Sequence, residues 1–410
     1  MMTATATHSL ADPEVQKSPF ATYKWLRDEA PIFFDSGLKM HVVSRYEDIR
    51  SILRDPTLFS SRVGSEMTGG MRQEVKDVFE KEGWGERREV LLTNDPPDHT
   101  NYRQLVERAF TPTRVRKMEP YIESVVEKLV DGIVEQGGGD LIADFAVPVP
   151  LTVIADELGI EQEDLPRFKQ WSDAAVAPLS RNILLEDEIA AARLVNEMHH
   201  YFAKIIEDRK RTPCDDLISD LVHAQTDVPV STKDLLSILQ SLLVAGNETS
   251  TNTIAAGLLI LVQSPELLDE LHNDNKKIVT FVEEVLRLEA PVQGLLRLTT
   301  ADTIIAGTDI PAGSMLALRY GSANRDERQF ADPDRLDLNR QKAASHLSFG
   351  SGIHHCIGAF LSRRELYYAF RAVVTRFSKI ELADGGRTPE IIPSFTLRGL
   401  ANLDATVICR

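Results

Sequence analysis

Cysteine is scarce: Cys214, Cys356 and Cys409 are the only three in 410 residues. They cannot build a disulfide framework, which points to a reducing cytoplasm. No long hydrophobic run is unbroken. The most apolar stretch, residues 235–262, carries Asn247-Glu248-Thr249-Ser250-Thr251-Asn252-Thr253 at its centre. It therefore reads as a buried helix with a polar working face rather than a membrane span. The first twenty residues are polar, with Pro13 and Pro19, and lack the apolar core of a signal peptide or anchor. Positive charge is in deficit, with 46 Lys and Arg against 62 Asp and Glu and a formal net charge of -16. That disfavours nucleic acid or an anionic membrane as a general partner. No internal repeat, low-complexity tract or Gly/Ser linker interrupts the chain. No GxGxxG follows a predicted strand, and Gly350 and Gly352 lack a third glycine, so a dinucleotide reading is weak.

What is present is ordinary globular composition, 43% hydrophobic and 26% charged, in a chain long enough for a large core. One enlarged domain around a cofactor, or two fused lobes, fits that length. The organising stretch is Phe349-Gly350-Ser351-Gly352-Ile353-His354-His355-Cys356-Ile357-Gly358. Its glycines allow turns that a Cβ forbids and let a flat ligand approach the backbone. The next residues, Ala359-Phe360-Leu361-Ser362-Arg363-Arg364-Glu365-Leu366, are good helix formers. Cys356 thus sits near a helix N-terminus, where the dipole favours a thiolate, a soft ligand for a transition metal. Two plainer readings compete. A solitary cysteine is usually a small buried hydrophobe, which the clustered glycines argue against. His354, His355 and Cys356 also suggest zinc, but adjacent residues chelate one ion poorly and no CxxC accompanies them.

Elsewhere the pattern is mainly helical. Residues up to 18 read as a loose arm, 20–30 as a helix, 31–34 and 40–43 as a hairpin, and 46–54 as a short helix. Residues 60–92 lack a clear period and hold Gly64, Gly69, Gly70, Gly83 and Gly85, so they read as a long irregular binding loop. Pro96-Pro97 opens a helix that puts His99 and Arg103 on one face. Helices are expected over residues 118–135, 151–158, 163–177 and 187–211, with Pro178 and Asn182 marking a break. Ser231 and Asp234 form a capping pair for a helix running to Gln263 and stopped by Ser264-Pro265. At its centre, Ala245-Gly246-Asn247-Glu248-Thr249-Ser250 sets an acid and a hydroxyl beside a helix glycine. Polar side chains bonding back to their own carbonyls would give the same pattern. Glu284 and Arg287 are spaced to pair, and short strands are expected at residues 303–305, 314–319 and 405–408.

The loop around Cys356 matches Phe-Gly-x-Gly-x-His-x-Cys-x-Gly, the haem-binding loop of the cytochrome P-450 family, which the chain resembles from about Pro31 onward. The resemblance implies one mainly α domain over residues 19–410 with a small β-rich lobe, preceded by a flexible arm and carrying no fused reductase. A haem b would lie between the long central helix and the cysteine loop. Cys356 would be the axial iron ligand. His99, Arg103, Arg297 and His354 would hold the propionates, with Phe349, Gly350, Gly358, Ala245 and Gly246 against the ring. Ala245 to Ser250 resembles the family's oxygen-binding motif, with Glu248 for the commoner Asp and Ser250 for a second Thr. It gives Thr249 and Glu248 a catalytic part in proton delivery. Glu284, Arg287 and Arg335 would form a buried structural network. The implied activity is a monooxygenase that hydroxylates a small hydrophobic compound using O2 and two electrons. The expected pocket wall is Leu243, Val244, Ala245, Gln293, Gly294, Leu295, Phe395 and Thr396. Electrons are expected from a ferredoxin and its flavin-dependent reductase, docking on Arg108, Arg114, Arg116, Lys117, Arg363 and Arg364. A peroxide-driven haem-thiolate hydroxylase and a non-catalytic haem-thiolate sensor or carrier are the alternatives.

Overall fold

The computed structural model describes residues 8–64, 70–85, 88–180, 183–225, 229–385, 387 and 389–410. The first half holds helices α1 (Pro13–Lys17), α2 (Phe20–Glu29), α3 (Tyr46–Arg54), α4 (Gln73–Glu82), α5 (Asp98–Glu107), α6 (Pro112–Gln136), α7 (Pro148–Glu157) and α8 (Leu165–Val176). Then come α9 (Leu185–Arg211), α10 (Leu217–Val222), α11 (Thr232–Gln263), α12 (Glu266–Asn273), α13 (Lys277–Leu288), α14 (Tyr320–Ala323) and α15 (Ala359–Arg376). The strands are β1 (Ile32–Asp35), β2 (Met40–Val43), β3 (Phe59–Ser60), β4 (Gly138–Asp140), β5 (Gly294–Thr299), β6 (Thr303–Ile305), β7 (Thr308–Ile310), β8 (Met315–Arg319), β9 (Phe377–Leu382) and β10 (Asp404–Cys409). They form sheets ordered β1-β2-β8-β5-β3, β4-β10-β9 and β6-β7. Among the described residues, no helix is long and apolar enough to cross a membrane.

The helix α11 is apolar on most of its circumference, which drives it into the centre of the molecule. Ser231 and Asp234 close a reciprocal capping box at its start. One side of α11 packs with α6, α13 and α15 around Ile254, Leu258, Phe281 and Phe370. The other packs with α7, α8, α9 and α10 around Leu239, Leu243, Trp171 and Phe202. Gly257 permits the close crossing of α11 and α15, because a Cβ there would lie 2.2 Å from Phe370. Between the two cores, the polar centre of α11 faces the cysteine loop.

Two expectations change. The segment before residue 18 is docked from residue 8 onward: the buried Asp35 carboxylate accepts from Ser9 Oγ and from Leu10 N–H at 2.7 Å, Leu10 is buried, and α1 follows. Residues 1–7 lie outside the described residues. Residues 60–92 are not irregular throughout, since they contain α4. Val75, Val78 and Phe79 make one apolar face that packs on Ala192 of α9. The helical pattern is short and dense charge flanks it, which hid it. Gly69, in that stretch, and Asn182, at the proposed helix break, lie outside the described residues.

Candidate active site

The loop from Phe349 to Gly358 folds back on itself before entering α15. Cys356 N–H donates to Phe349 O at 2.8 Å and His355 N–H to Gly352 O at 3.1 Å. Gly350 and Gly352 have φ of 67° and 71°, and a Cβ on Gly352 would lie 2.2 Å from Leu53 O. The sequence therefore has little choice at that position. The ring of Phe349 lies 4.4 Å from the Arg363 guanidinium, which itself pairs with Glu283 at 2.6 Å. Cys356, Phe349, Gly350 and Gly358 all line a cavity of ≈ 820 Å³, with the centre of α11 on its opposite wall.

The thiol does not titrate as the helix dipole alone suggests. Burial pushes the Cys356 thiol up, and Gly358 N–H, Arg103 and Arg363 oppose this without overcoming it. Its helix starts only at Ala359, so the dipole acts at a distance. A bound cation would change the balance, since a coordinating thiol is deprotonated by the metal itself.

Arg297, His99, Arg103 and His354 gather on one wall of the cavity. Arg297 comes from β5, is 3% exposed, and donates to Leu296 O at 2.7 Å. Among the described residues no carboxylate pairs with it. The nearby Asp95 instead accepts from Ser61 N–H at 2.8 Å. The rings of His99 and His354 lie with centroids 4.2 Å apart and planes tilted by 53°, and Ser61 Oγ lies 2.9 Å from His354 Nε2. Burial, then Arg297, holds His354 down to about 3, so it is neutral. Arg103 donates to His355 O at 2.8 Å and to Glu107 at 2.6 Å. A buried guanidinium without an anion is costly, so this wall calls for a carboxylate-bearing ligand. A flat cofactor with acidic side arms and a soft-ligand metal fits both the wall and the sulfur.

Across the cavity, Thr249 Oγ1 donates to Ala245 O at 2.8 Å, the back-bonded arrangement that the sequence left open. Glu248 lies beside it, and burial raises its pKa, with Asp173 adding to the effect and Lys169 opposing it. Asn247 Nδ2 donates to Ser172 Oγ at 2.8 Å and ties α11 to α8. Glu365 of α15, which sequence reasoning treated only as a helix former, also lines the cavity. It is 3% exposed and accepts from Ser250 Oγ at 2.8 Å. Burial pushes it up to about 8 against that hydrogen bond. Its signal was present: Leu361, Glu365 and Ala369 share one helical stripe, so an acid falls on the buried face.

Not every expected residue is where the sequence put it. Glu284 and Arg287 pair bidentately at 2.6 and 2.9 Å. The further guanidinium on Glu284 is that of Arg340, at 2.9 Å. Arg335 is exposed and contributes its carbonyl, which accepts from Arg287 at 3.1 Å and Arg340 at 2.9 Å. Of the expected pocket wall, Val244, Ala245, Leu295 and Thr396 line the cavity and Leu243, Gln293, Gly294 and Phe395 do not. Gln293 bonds Tyr23 and Ala290 O. Phe395 lies 4.7 Å from the Arg319 guanidinium. Gly294 is pressed against Leu318, and Leu243 packs into the core that α11 shares with α7. Of the expected basic patch, Arg114 pairs with Glu157 and Asp220, Arg363 with Glu283 and Arg364 with Glu119. Arg108, Arg116 and Lys117 remain exposed and outside any ion pair among the described residues.

A cysteine on a glycine-turned loop, a buried cationic wall and the acid–hydroxyl centre of α11 line one cavity. The chain belongs to the cytochrome P450 family, whose model, Cytochrome P450, matches residues 16–401. Polyketide biosynthesis cytochrome P450 PksS of Bacillus subtilis (strain 168) is 35% identical over 403 residues, which is 96% of this chain and 97% of that protein. The structure of cytochrome P450 CREJ in complex with (4-ethylphenyl) dihydrogen phosphate superposes with a TM-score of 0.92 at 29% identity, covering 98% of this chain and 100% of that one. P450BioI in complex with hexadec-9Z-enoic acid ligated Acyl Carrier Protein gives 0.85 at 31% identity, covering 97% and 99%. The family is one of haem-dependent monooxygenases that work with redox partners.

Proposed function

We propose that the protein hydroxylates an apolar small molecule with O2 and two electrons, with Cys356 as iron ligand and Thr249 and Glu248 delivering protons. The haem supplies oxygen activation when bound. Cys356 Sγ would hold its iron, and Arg297, His99, Arg103 and His354 would hold its propionates by charge-assisted bonds. Val244, Leu295 and Leu397 make an apolar wall that keeps bulk water from the reacting carbon. Glu248, with its pKa raised by burial, keeps a proton into a higher pH range and can exchange it near Lys169 and Asp173. Thr249, the next residue, receives it at Oγ1 once it releases Ala245 O. A positioned proton donor typically contributes ~10²–10⁴-fold to such a transfer.

The observation that carries this reading is the one cavity shared by Cys356, Arg297, Glu248 and Thr249. We assign the electron supply to a small acidic ferredoxin and a flavin-dependent reductase, which would meet the exposed Arg108, Arg116 and Lys117. The scarcity of cysteine favours the cytoplasm. The test is product formed per reductant consumed. Thr249→Ala should keep haem and substrate affinity, still consume reductant, and release hydrogen peroxide in place of most product. Coupling equal to wild type would remove Thr249 from the route.

A further inference from the structure

Helix α9 contributes to the lining of the same cavity as Cys356. Its residues Glu188, Ala191, Ala192 and Val195 follow the spacing of one helix face and line the cavity. His199 lies one turn further along that face, is 3% exposed, and places Nε2 3.0 Å from Gln240 Oε1. Gln240 is half-buried on α11 and lines the cavity. A glutamine amide offers one acceptor oxygen and two N–H donors. With His199 donating to the oxygen, the amide nitrogen is the part left for the cavity, and no described residue takes its protons. Of the charged groups that line the cavity here, Glu188 pairs with Arg72 at 3.0 Å and Arg88 with Asp234 at 3.9 Å, and Lys76 and Glu89 lie on the same lining. Gln240 is a neutral donor among these groups, about 13 Å along the helix axis from Thr249 at 1.5 Å per residue and about half a turn round it at 3.6 residues per turn.

We propose that Gln240, positioned by His199, determines specificity by donating a hydrogen bond to an uncharged carbonyl oxygen of an elongated, otherwise apolar substrate. The carbonyl lies about 13 Å along α11 from the end that reacts beside Thr249. The proposal rests on the reading of Cys356 and Thr249 as the reaction end of the cavity. It deepens that reading by naming a substrate class: chain-like esters, amides or thioesters oxidised far from the carbonyl.

The test is spectral titration of the holoprotein, without reductant, using methyl decanoate, undecane and decanoate. Gln240→Met keeps side-chain length and removes both donors. It should weaken methyl decanoate about fivefold to tenfold, the worth of one net hydrogen bond, and leave undecane unchanged. His199→Leu should weaken the ester in the same way. His199→Gln, which restores a donor to Gln240 Oε1, should recover it, and a purely structural role for His199 would not give that pattern. Equal weakening of ester and hydrocarbon, or of neither, overturns the proposal. So does failure of the ester to bind wild type. So does a preference for decanoate that survives Gln240→Met, which would assign selection to Lys76 and Arg88. Because no turnover is involved, failure here leaves the oxygenase reading intact, and failure of the Thr249→Ala coupling test leaves this binding result intact.

Discussion

Glu284 and Arg287 form a bidentate ion pair, 2.6 and 2.9 Å long, in which both side chains are fully buried. The pair is completed by Arg340 on Glu284 and by the carbonyls of Asn324, Pro333 and Arg335 on Arg287. It fastens α13 to the irregular segment that precedes the cysteine loop. Breaking a buried pair typically costs about 3–5 kcal/mol. Glu284→Ala should therefore yield little soluble holoprotein and a much lower melting temperature. Arg340→Ala should also destabilise, whereas Arg335→Ala, which keeps the carbonyl, should stay within about 0.5 kcal/mol of wild type. Melting curves of the three variants decide this, and a severe loss in Arg335→Ala would put that side chain in the network.

Glu365 gives a pH dependence with a definite sign. Its carboxyl is held protonated in the fold up to about 8, against an ordinary value of 4.5. Between those values the folded chain binds more protons than the unfolded one, so this group makes stability fall as pH rises. The loss is complete above about pH 8. Glu365→Gln keeps a hydrogen-bond acceptor for Ser250 and removes the titration. It should flatten the fall in melting temperature between about pH 5 and 8 and raise stability at the upper end. An unchanged slope would mean that Glu365 is ionised in the fold.

Arg297 separates stability from cofactor binding. A buried guanidinium with no carboxylate partner among the described residues costs the protein alone and is compensated only by an anion. Arg297→Leu should leave the melting temperature of the haem-free protein unchanged or raised. Removing one member of a buried charge pair costs about 2–5 kcal/mol, so haem release should accelerate by at least about tenfold. Transfer of haem to an excess acceptor protein measures this. A variant that loses apoprotein stability but retains haem would place Arg297 in the fold rather than on the propionates.

Much of the site was legible because local rules carried it. The Cys356 loop needs glycine at Gly350 and Gly352, Ser231 and Asp234 must cap a helix, and His99 and Arg103 must share a face. What failed depended on long-range packing. The choice between Arg335 and Arg340 depends on how the chain turns after Asp332, which has a φ of 45°. Gln293 and Phe395 are drawn from the cavity by Tyr23 and Arg319, and Tyr23 is 270 residues distant from Gln293 in the chain. The basic segments looked like a patch because each acid lies far in sequence from the arginine it pairs with: Glu157 and Asp220 from Arg114, Glu283 from Arg363 and Glu119 from Arg364.

The central claim is that the thiolate of Cys356 holds the haem iron. The most direct measurement is the absorption spectrum of the reduced holoprotein under carbon monoxide, for wild type and for Cys356→His, Cys214→Ala and Cys409→Ala. The account predicts the red-shifted thiolate band in wild type and in the Cys214 and Cys409 variants, and its loss in Cys356→His. Survival of that band in Cys356→His, or its loss in Cys214→Ala or Cys409→Ala, would contradict the account.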